Sequence, residues 1–245
     1  RELELGKHVK WAHGRYESCH PAPDGTFACI SRDPDAGASV FGSPRDGDAW
    51  RKLSAWHKSV EPRLYRLLLG PFPSLGPALE LGPLNLLRMA RLFASSSRGL
   101  AQRHFESAAA RRVIPGLGLP VDVGPDDRFG AGLGYMLGLG ATTGGYPVPI
   151  GGAQRITDAL VRILEAHGGR LRLGSRVKRV LVRDGRAAAA ELENGEEIAV
   201  GRAVMADTAA KALLLDLVER RHVPSSAVRK MNRFEQGWGT FKVDW

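Results

Sequence analysis

Two glycines and an aspartate occupy positions where an α/β protein binds a ligand. Gly151 and Gly152 precede a stretch of helical periodicity, and the N-terminus of a helix favours an anion or an electron-rich ring. Ala206 and Asp207 end an apolar run, and ligands of open α/β sheets bind at the carboxyl ends of strands. The simpler alternatives are a tight turn at the glycines and a helix cap at Asp207.

Acid–base catalysis has little support in the sequence. The 7 histidines are dispersed, and none shares a recognisable frame with a serine or cysteine nucleophile. Gly-x-Ser-x-Gly is absent, which argues against a hydrolase. Neither Cys-x-x-Cys nor His-x-x-x-His spacing occurs, so we expect no structural metal site. The catalytic residues therefore stay unassigned.

The helix that follows the two glycines can be delimited from its residues. Ile156, Leu160, Ile163 and Leu164 recur at helical spacing on one face. Gly168 and Gly169 stop the helix because glycine reaches the left-handed conformation without a side-chain clash. The sequence therefore predicts a helix over 153–167.

A run of strands joined by tight turns comes next. Asp184-Gly185 and Asn194-Gly195 suit two-residue hairpin turns because both central positions take a positive φ. The predicted strands are 170–173, 177–183, 186–193, 196–200 and 203–206. We expect the three central strands to form an antiparallel meander and the outer two to lie in one other sheet.

The remaining segments alternate between helical and irregular patterns. Short strands are expected within the first 45 residues, including 26–30. Helical spacing covers 47–69, 83–93, 97–111 and the leucine-rich stretch 213–218, while 238–245 alternates like a strand. Pro62 predicts a kink or a split in the first helix. The passage up to Gly145 is rich in glycine and proline, and its glycines within 129–139 allow close backbone packing.

Several short motifs resemble one family in their order and spacing. They are 20–26, 31–33, 146–153, the helix end at 167–169, 173–180, 184–186, 193–198, 203–207 and 239–245. The set resembles FAD-dependent oxidoreductases related to phytoene desaturases and flavin amine oxidases, within the glutathione-reductase-like superfamily. The resemblance spans most of the chain.

The resemblance implies a fold class and a domain order. The fold would be α/β (α+β overall), with a partial glutathione-reductase-like FAD domain that carries a three-stranded β-meander. A mixed sheet-and-helix substrate domain would accompany it. Residues 1–145 would form the substrate-binding domain, 146–210 part of the FAD-binding domain, and 211–245 a return to the substrate-binding domain.

The resemblance also implies contacts to FAD. A valine at the start of the strand, here Val177, would hydrogen-bond the adenine through its backbone, or would be only a core residue. Arg176 flanks it, and we expect its side chain to point the opposite way, towards solvent or a phosphate. The corner at Ala206 and Asp207 would pass near the flavin, and Gly151 and Gly152 would approach the ring or the substrate.

An apolar substrate would need apolar walls. Phe129, Tyr135 and Met136 are candidates to line such a tunnel, with ordinary core packing as the alternative. A small, lipophilic substrate that loses a hydride to the flavin fits the scarcity of acid–base groups, since the ring performs the chemistry and the protein orients it.

The phosphate-binding turn of such enzymes is absent from this sequence. The run Gly138-Leu-Gly140-Ala-Thr-Thr-Gly144 imitates it, but its third glycine comes one position late and prolines follow. We therefore interpret the chain as an internal fragment, inactive by itself, that binds FAD weakly or not at all. A truncated, non-catalytic interaction module is the alternative.

Charge adds a further alternative. The net charge is +9 and the pI is near 10.0, but the basic residues form scattered doublets and triplets, so we expect no specific nucleic-acid partner. A basic protein that docks on nucleic acid or an anionic membrane remains an alternative, and Arg88 and Arg91 in an apolar helical segment favour peripheral membrane contact. We expect a cytoplasmic location, while the oligomeric state stays open.

Cys19 and Cys29 flank a turn at 23–25. A hairpin there would let them face one another, and a disulfide is one outcome. The expected cytoplasmic location favours two reduced thiols instead.

Overall fold

The structure is a computed structural model that describes residues 3–71, 74–235, 237 and 239. The predicted strand at 238–245 therefore lies outside the described residues, apart from residue 239. The described part forms two compact units, one within residues 3–160 and one within 161–239.

Helices dominate the first unit. Its strands are β1 (Trp11–Ala12), β2 (Ser18–Pro21), β3 (Phe27–Ile30) and β4 (Val148–Pro149). Its helices are α1 (Pro34–Ser39), α2 (Pro44–Leu69), α3 (Leu75–Phe93), α4 (Ser97–His104), α5 (Ala108–Gly118) and α6 (Gly130–Thr143). Gly82, with a φ of 74° and a ψ of 160°, divides α3 at a kink, and the part after the kink is the predicted helix 83–93. Helix α7 (Gln154–Ala166) runs from this unit into the second. Two small antiparallel sheets pair β1 with β4 and β2 with β3.

Helix α2 is the central element of this unit. Ser43 and Asp46 form a capping box at its start, which satisfies backbone donors that the first helical turn leaves free. The helix continues through Pro62 to Leu69, so the predicted split at that proline is wrong. Trp50 stacks on Phe41 with ring centroids 4.3 Å apart, and both rings belong to the buried core. This packing of the apolar face compensates for the backbone hydrogen bond lost at proline.

Helix α6 lies within the glycine- and proline-rich passage, where the sequence predicted close backbone packing but no helix. The sequence around Gly132, Gly134 and Gly138 is helical, and the glycines serve helix packing. A Cβ placed on Gly134 would lie only 2.3 Å from the carbonyl oxygen of Ile114 in α5. Close approach of the α5 backbone therefore requires glycine here. The run 138–144 lies in the second half of this helix and its C-terminal cap, so it forms no phosphate loop, as its sequence context predicted.

The second unit contains the predicted meander. Strands β5 (Val177–Arg183), β6 (Arg186–Leu192) and β7 (Glu197–Ala199) form a three-stranded antiparallel sheet in the order β5-β6-β7. Asp184 and Gly185 have positive φ angles of 50° and 72°, as the turn residues predicted. Gly195 has a φ of 84°, but Asn194 has no positive φ, so the prediction of two positive central positions is wrong for the second turn. A π-helical turn (Ala212–Leu217) and helix α8 (Ser225–Arg233) complete this unit.

The two outer strands predicted beside the meander are wrong for the described residues. Residues 170–173 and 203–206 follow an irregular path, and Leu173 and Met205 are 83% and 96% exposed. A strand needs a neighbour to accept and donate its backbone hydrogen bonds, and no described strand lies beside either segment. A single parallel bridge between Val180 and Val218 is the extension of the meander that the structure does show.

The cysteines also depart from the favoured expectation. Cys19 and Cys29 are directly opposite one another in the β2–β3 hairpin, with their Cα atoms 4.2 Å apart, and they form a disulfide. The expectation of two reduced thiols is therefore wrong for this structure. The hairpin register decides it, because opposite residues on two antiparallel strands bring their side chains to the same face.

Candidate functional site

The glycine pair before α7 forms an open turn. Gly151 and Gly152 have φ angles of 89° and 93°, which favour glycine, and the Gly152 N–H donates to the Pro149 carbonyl at 3.1 Å. Within 4 Å of the point where a Gly152 side chain would begin there is no heavy atom outside its chain neighbours. The pair therefore makes the tight turn, and its contact with a cofactor or substrate stays a prediction.

The start of β5 presents a second accessible stretch of backbone. Gly174 has a φ of 64° with open space beside it. Val177 begins the strand and is 36% exposed. Arg176 is exposed, and its Nε lies 3.3 Å from a carboxylate oxygen of Glu193. The ion pair spans the open end of the β5–β6 hairpin. Arg176 therefore has the solvated position that was predicted as one of its two roles.

Ala206 and Asp207 lie in an exposed irregular segment of the same unit. The residue that precedes the π-helical turn is Lys211, and no side chain caps that turn, so the alternative role of Asp207 as a helix cap is wrong. Within the described part of the chain, no hydrogen bond or ion pair joins Ala206 or Asp207 to Arg176 or Val177. Their shared contact with a cofactor stays a prediction.

The three predicted substrate-lining residues occupy three different environments. Phe129 is exposed at the start of α6 with a φ of 67°, and Met136 is partly buried against the core. Tyr135 is completely buried within the core, where its hydroxyl meets the Nδ1 atom of His57 at 2.8 Å. Tyr135 therefore has the core position that was the alternative for these residues, and a tunnel wall stays a prediction for the other two.

Sequence reasoning missed the polar cluster around His57. The ring is completely buried, and its Nε2 atom lies 3.5 Å from a carboxylate oxygen of Glu61, one helical turn later. The hydroxyl of Thr143 donates to the same carboxylate oxygen. Burial lowers the pKa of His57, an effect that the Glu61 carboxylate opposes, and burial raises the pKa of Tyr135. The available signal was the position of His57 on the apolar stripe of α2, where a buried imidazole requires a partner.

The accessible stretches of backbone lie in two different units of the chain. Gly152 and Gly174 expose backbone groups in open space, and Val177 adds the first backbone of a strand. Such groups suit the adenine and ring ends of FAD, since hydrogen bonds to the backbone need no particular side chain. The glycine turn at Gly151 and Gly152 leads into α7 without the Gly-x-Gly-x-x-Gly pattern of a pyrophosphate-binding turn. A shared contact of Gly152, Gly174 and Val177 with one cofactor stays a prediction.

Comparisons with known proteins point to a family of flavin enzymes. The family model described as flavin-containing amine oxidoreductase matches residues 54–239. Hydroxyneurosporene desaturase of Rubrivivax gelatinosus is 29% identical over 180 residues, which cover 70% of this chain and 33% of the desaturase. A variant of putrescine oxidase redesigned in its cofactor binding has a similar fold, with a TM-score of 0.51 and 13% identity over 94% of this chain and 48% of its own.

These similarities confirm the resemblance that the motifs indicated, and they confirm a mixed helix-and-sheet fold like that of a flavin oxidase. The chain spans about a third of the desaturase and about half of the putrescine oxidase chain. Enzymes of this kind use FAD as their cofactor. Because the family model covers well over half of the sequence, the chain belongs to the flavin-containing amine oxidoreductase family.

Proposed function

We propose that the full-length protein is an FAD-dependent oxidoreductase that removes a hydride from a C–H or C–N centre of a small, apolar substrate. The match of residues 54–239 to the family model carries this proposal. The names of the similar proteins, a desaturase and a putrescine oxidase, support both kinds of centre. The bound FAD would supply the hydride acceptor, and this chain would supply binding and orientation.

The domain order expected from the sequence belongs to the same proposal. Residues 1–145 would bind the substrate, 146–210 would form part of a glutathione-reductase-like FAD domain, and 211–245 would return to the substrate domain.

A matched pair of glycine variants tests the cofactor contact in the full-length protein. Gly152→Ala and Gly25→Ala each place a side chain at a positive φ, 93° and 80°, with open space around it. The backbone strain is therefore similar in the two variants. We expect the purified full-length protein to absorb at about 450 nm, because bound oxidised flavin absorbs there. Gly152→Ala should weaken FAD binding, whereas Gly25→Ala should leave it unchanged. Equal FAD affinity in both variants would remove Gly152 from the site, and a colourless full-length protein that takes up no FAD would refute the function.

A peripheral contact with an anionic membrane is the second part of the proposal. Four leucines at the end of α2 and along α3 form what we call the leucine patch: Leu69, Leu75, Leu79 and Leu84, each between 69% and 82% exposed. A contiguous patch of exposed apolar side chains marks an interaction surface, and we propose that these four form one. Among the described residues, no helix is long and apolar enough to span a bilayer. The leucine patch would therefore enter only the lipid interface.

Charge on the same helix supports lipid as the partner. Arg88 lies 3.9 Å over the ring of Trp56, and Arg91 belongs to the last turn of α3. Cationic residues on an amphipathic helix strengthen binding to anionic lipids and would suit a protein that collects a lipophilic substrate from a bilayer. A cytoplasmic position at the membrane surface accompanies this proposal. The Cys19–Cys29 disulfide tests that position, because cytosolic glutathione keeps thiols reduced.

Vesicle sedimentation separates the leucine patch from general stickiness. Phosphatidylcholine vesicles with and without phosphatidylglycerol would be mixed with wild-type protein, Leu79→Glu and Leu173→Glu. Leu173 is a matched control, because it is as exposed as Leu79 but lies in the other unit. We expect binding that needs the anionic lipid and is lost only in Leu79→Glu. Retention of Leu79→Glu on the vesicles, or equal loss in both variants, would count against the leucine patch.

A further inference from the structure

A cavity of about 540 Å³ opens beside the β2–β3 hairpin, where it is lined by residues of β2, α4 and α5 and by Leu119 and Pro125. Its volume is in the range of small-molecule sites. It lies entirely within the unit formed by residues 3–160. None of its lining residues belongs to the predicted cofactor or substrate contacts, so the proposed function leaves this cavity unexplained.

Apolar and conformationally stiff residues form much of its wall. Pro21, Pro115, Leu119 and Pro125 line the cavity. Gly116 lies beside His20, and a Cβ on this glycine would be 3.3 Å from the imidazole Nδ1 atom. The absence of a side chain at Gly116 thus leaves room for the ring against α5. Such a wall suits the hydrocarbon body of a ligand.

The charges around the cavity leave a positive excess. Arg98 is neutralised by two hydrogen bonds to Asp126, of 2.6 Å and 3.1 Å. Arg111 uses its Nε to donate to the Phe105 carbonyl at 2.7 Å, which leaves its terminal nitrogens free for a ligand. Arg112 makes no hydrogen bond or ion pair with any described residue, and only a longer-range attraction connects it to Asp24.

His20 adds a polar group without adding charge. Its Nε2 atom lies 2.9 Å from the Ser18 hydroxyl oxygen, and burial lowers the pKa of the ring. The imidazole is therefore neutral at neutral pH. Two guanidinium groups, Arg111 and Arg112, with Asp24 as a distant counter-charge, match one negative charge better than the two or more of a phosphate ester or a pyrophosphate.

We propose that this cavity binds a small organic monocarboxylate, with the carboxylate on Arg112 and Arg111 and the apolar body against the proline-lined wall. The planar fork of a guanidinium matches a carboxylate with two parallel hydrogen bonds. The site is separate from the hydride-transfer chemistry, and its ligand binds whether or not FAD is present.

Calorimetric titration with hydrocinnamate, and with hydrocinnamyl alcohol as its neutral analogue, tests the site in the full chain. Arg112→Gln removes the unpaired guanidinium. Arg128→Gln is the matched control, because Arg128 is also exposed and has no hydrogen bond or ion pair among the described residues. Circular dichroism would verify that both variants keep the wild-type helix content.

We expect hydrocinnamate to bind at least about tenfold more tightly than the alcohol, and Arg112→Gln to lose about that factor, since hydrogen bonds to charged groups have this magnitude. Arg128→Gln should bind like the wild type. Equal binding of the acid and the alcohol, equal effects of the two substitutions, or no binding of hydrocinnamate would each overturn the proposal.

Discussion

The Nδ1 atom of His57 lies 2.8 Å from the hydroxyl oxygen of Tyr135, and both side chains are completely buried. This hydrogen bond joins α2 to α6 across the core, between residues 78 positions apart. The other ring nitrogen, Nε2, has no hydrogen-bond partner among the described residues and lies 3.5 Å from Glu61. Among the described residues, Tyr135 therefore provides the one hydrogen bond of the His57 ring.

Removal of the Tyr135 hydroxyl should destabilise the protein. Tyr135→Phe keeps the ring but leaves Nδ1 of His57 without a partner, and an unsatisfied buried group costs about 1–3 kcal/mol. Equilibrium unfolding in urea would measure the loss in the free energy of unfolding. His57→Leu should cost a similar amount, because it leaves the tyrosine hydroxyl unpaired.

The double variant provides the control for this pair. When both partners are replaced by apolar groups, no unsatisfied atom remains, so the double variant should lose less stability than the sum of the single variants. A coupling energy near zero would show that the contact contributes nothing specific.

Stability should fall as the pH drops below about 6.5, the usual pKa of histidine. Burial lowers the pKa of His57 in the folded state, so only the unfolded state takes up the proton in this range. Each such proton removes up to about 1.4 kcal/mol per pH unit. His20 and His104 also have pKa values lowered by burial and contribute in the same direction.

Unfolding titrations between about pH 7.5 and about pH 5 would measure this slope. Glu61 and Tyr135 are the titratable groups that face His57, and the charge of Arg88 acts on Tyr135. Tyr135 stays neutral throughout this pH range, because burial raises its pKa. His57→Leu should flatten the slope without abolishing it, because the other two histidines remain. An unchanged slope in that variant would contradict a buried, neutral His57.

Local turn chemistry and periodicity predicted the parts of the fold that depend on neighbouring residues. The meander formed as expected, and Asp184-Gly185 carries the two positive φ angles of its turn in its own sequence, whereas at Asn194-Gly195 the glycine alone has a positive φ. The single helix predicted over 97–111 is instead two, α4 and α5, because Ser107 begins a new helix as its N-cap. Serine is also common in turns, so the sequence alone did not show that Ser107 is a helix cap.

Tertiary packing decided the parts that the sequence did not predict. Helix α6 has poor intrinsic helix propensity because of its glycines, and the close approach of Ile114 to Gly134 stabilises it. The segments 170–173 and 203–206 have strand-like sequences but lack a neighbouring strand in the described residues. The sequence predicted the candidate site only as separate stretches of backbone. It did not show that His57 and Tyr135, 78 positions apart, form a hydrogen bond.

Two glycine-to-alanine substitutions, one at the contact of α6 with α5 and one beside open space in α3, should change the stability in opposite directions. Gly134→Ala would place a Cβ 2.3 Å from the Ile114 carbonyl oxygen, and such overpacking costs about 1–3 kcal/mol. Gly76→Ala in α3 meets no heavy atom within 4 Å and should stabilise the protein by about 0.5–1 kcal/mol. Thermal unfolding of both variants would reveal these signs. A tolerated Gly134→Ala would mean that the two helices lie further apart than described.

Reduction of the Cys19–Cys29 disulfide should lower the stability of the first unit. The bond closes a short loop over a sequence separation of 10, and loop-closure entropy predicts a loss of about 3 kcal/mol on reduction. Urea unfolding with and without dithiothreitol would measure this loss. A Cys19→Ser/Cys29→Ser double variant should unfold at the same urea concentration under both conditions. Wild-type protein that ignores the reductant would show that the two thiols are unbonded in solution and would favour the cytoplasmic location.

The 245-residue chain should bind FAD weakly, with a dissociation constant above about the micromolar range. Gly152, Gly174 and Val177 have accessible backbone, but the sequence lacks the Gly-x-Gly-x-x-Gly turn that places a pyrophosphate at a helix N-terminus. That contact places two phosphates against backbone N–H groups and a helix dipole, so a site without it loses a major part of the binding free energy. Quenching of flavin fluorescence during titration would measure the affinity, with FMN as the comparison because it lacks the adenine. Micromolar or tighter binding of FAD would contradict the prediction, and it would mean that the meander and the glycine turns hold the cofactor through other groups of this chain.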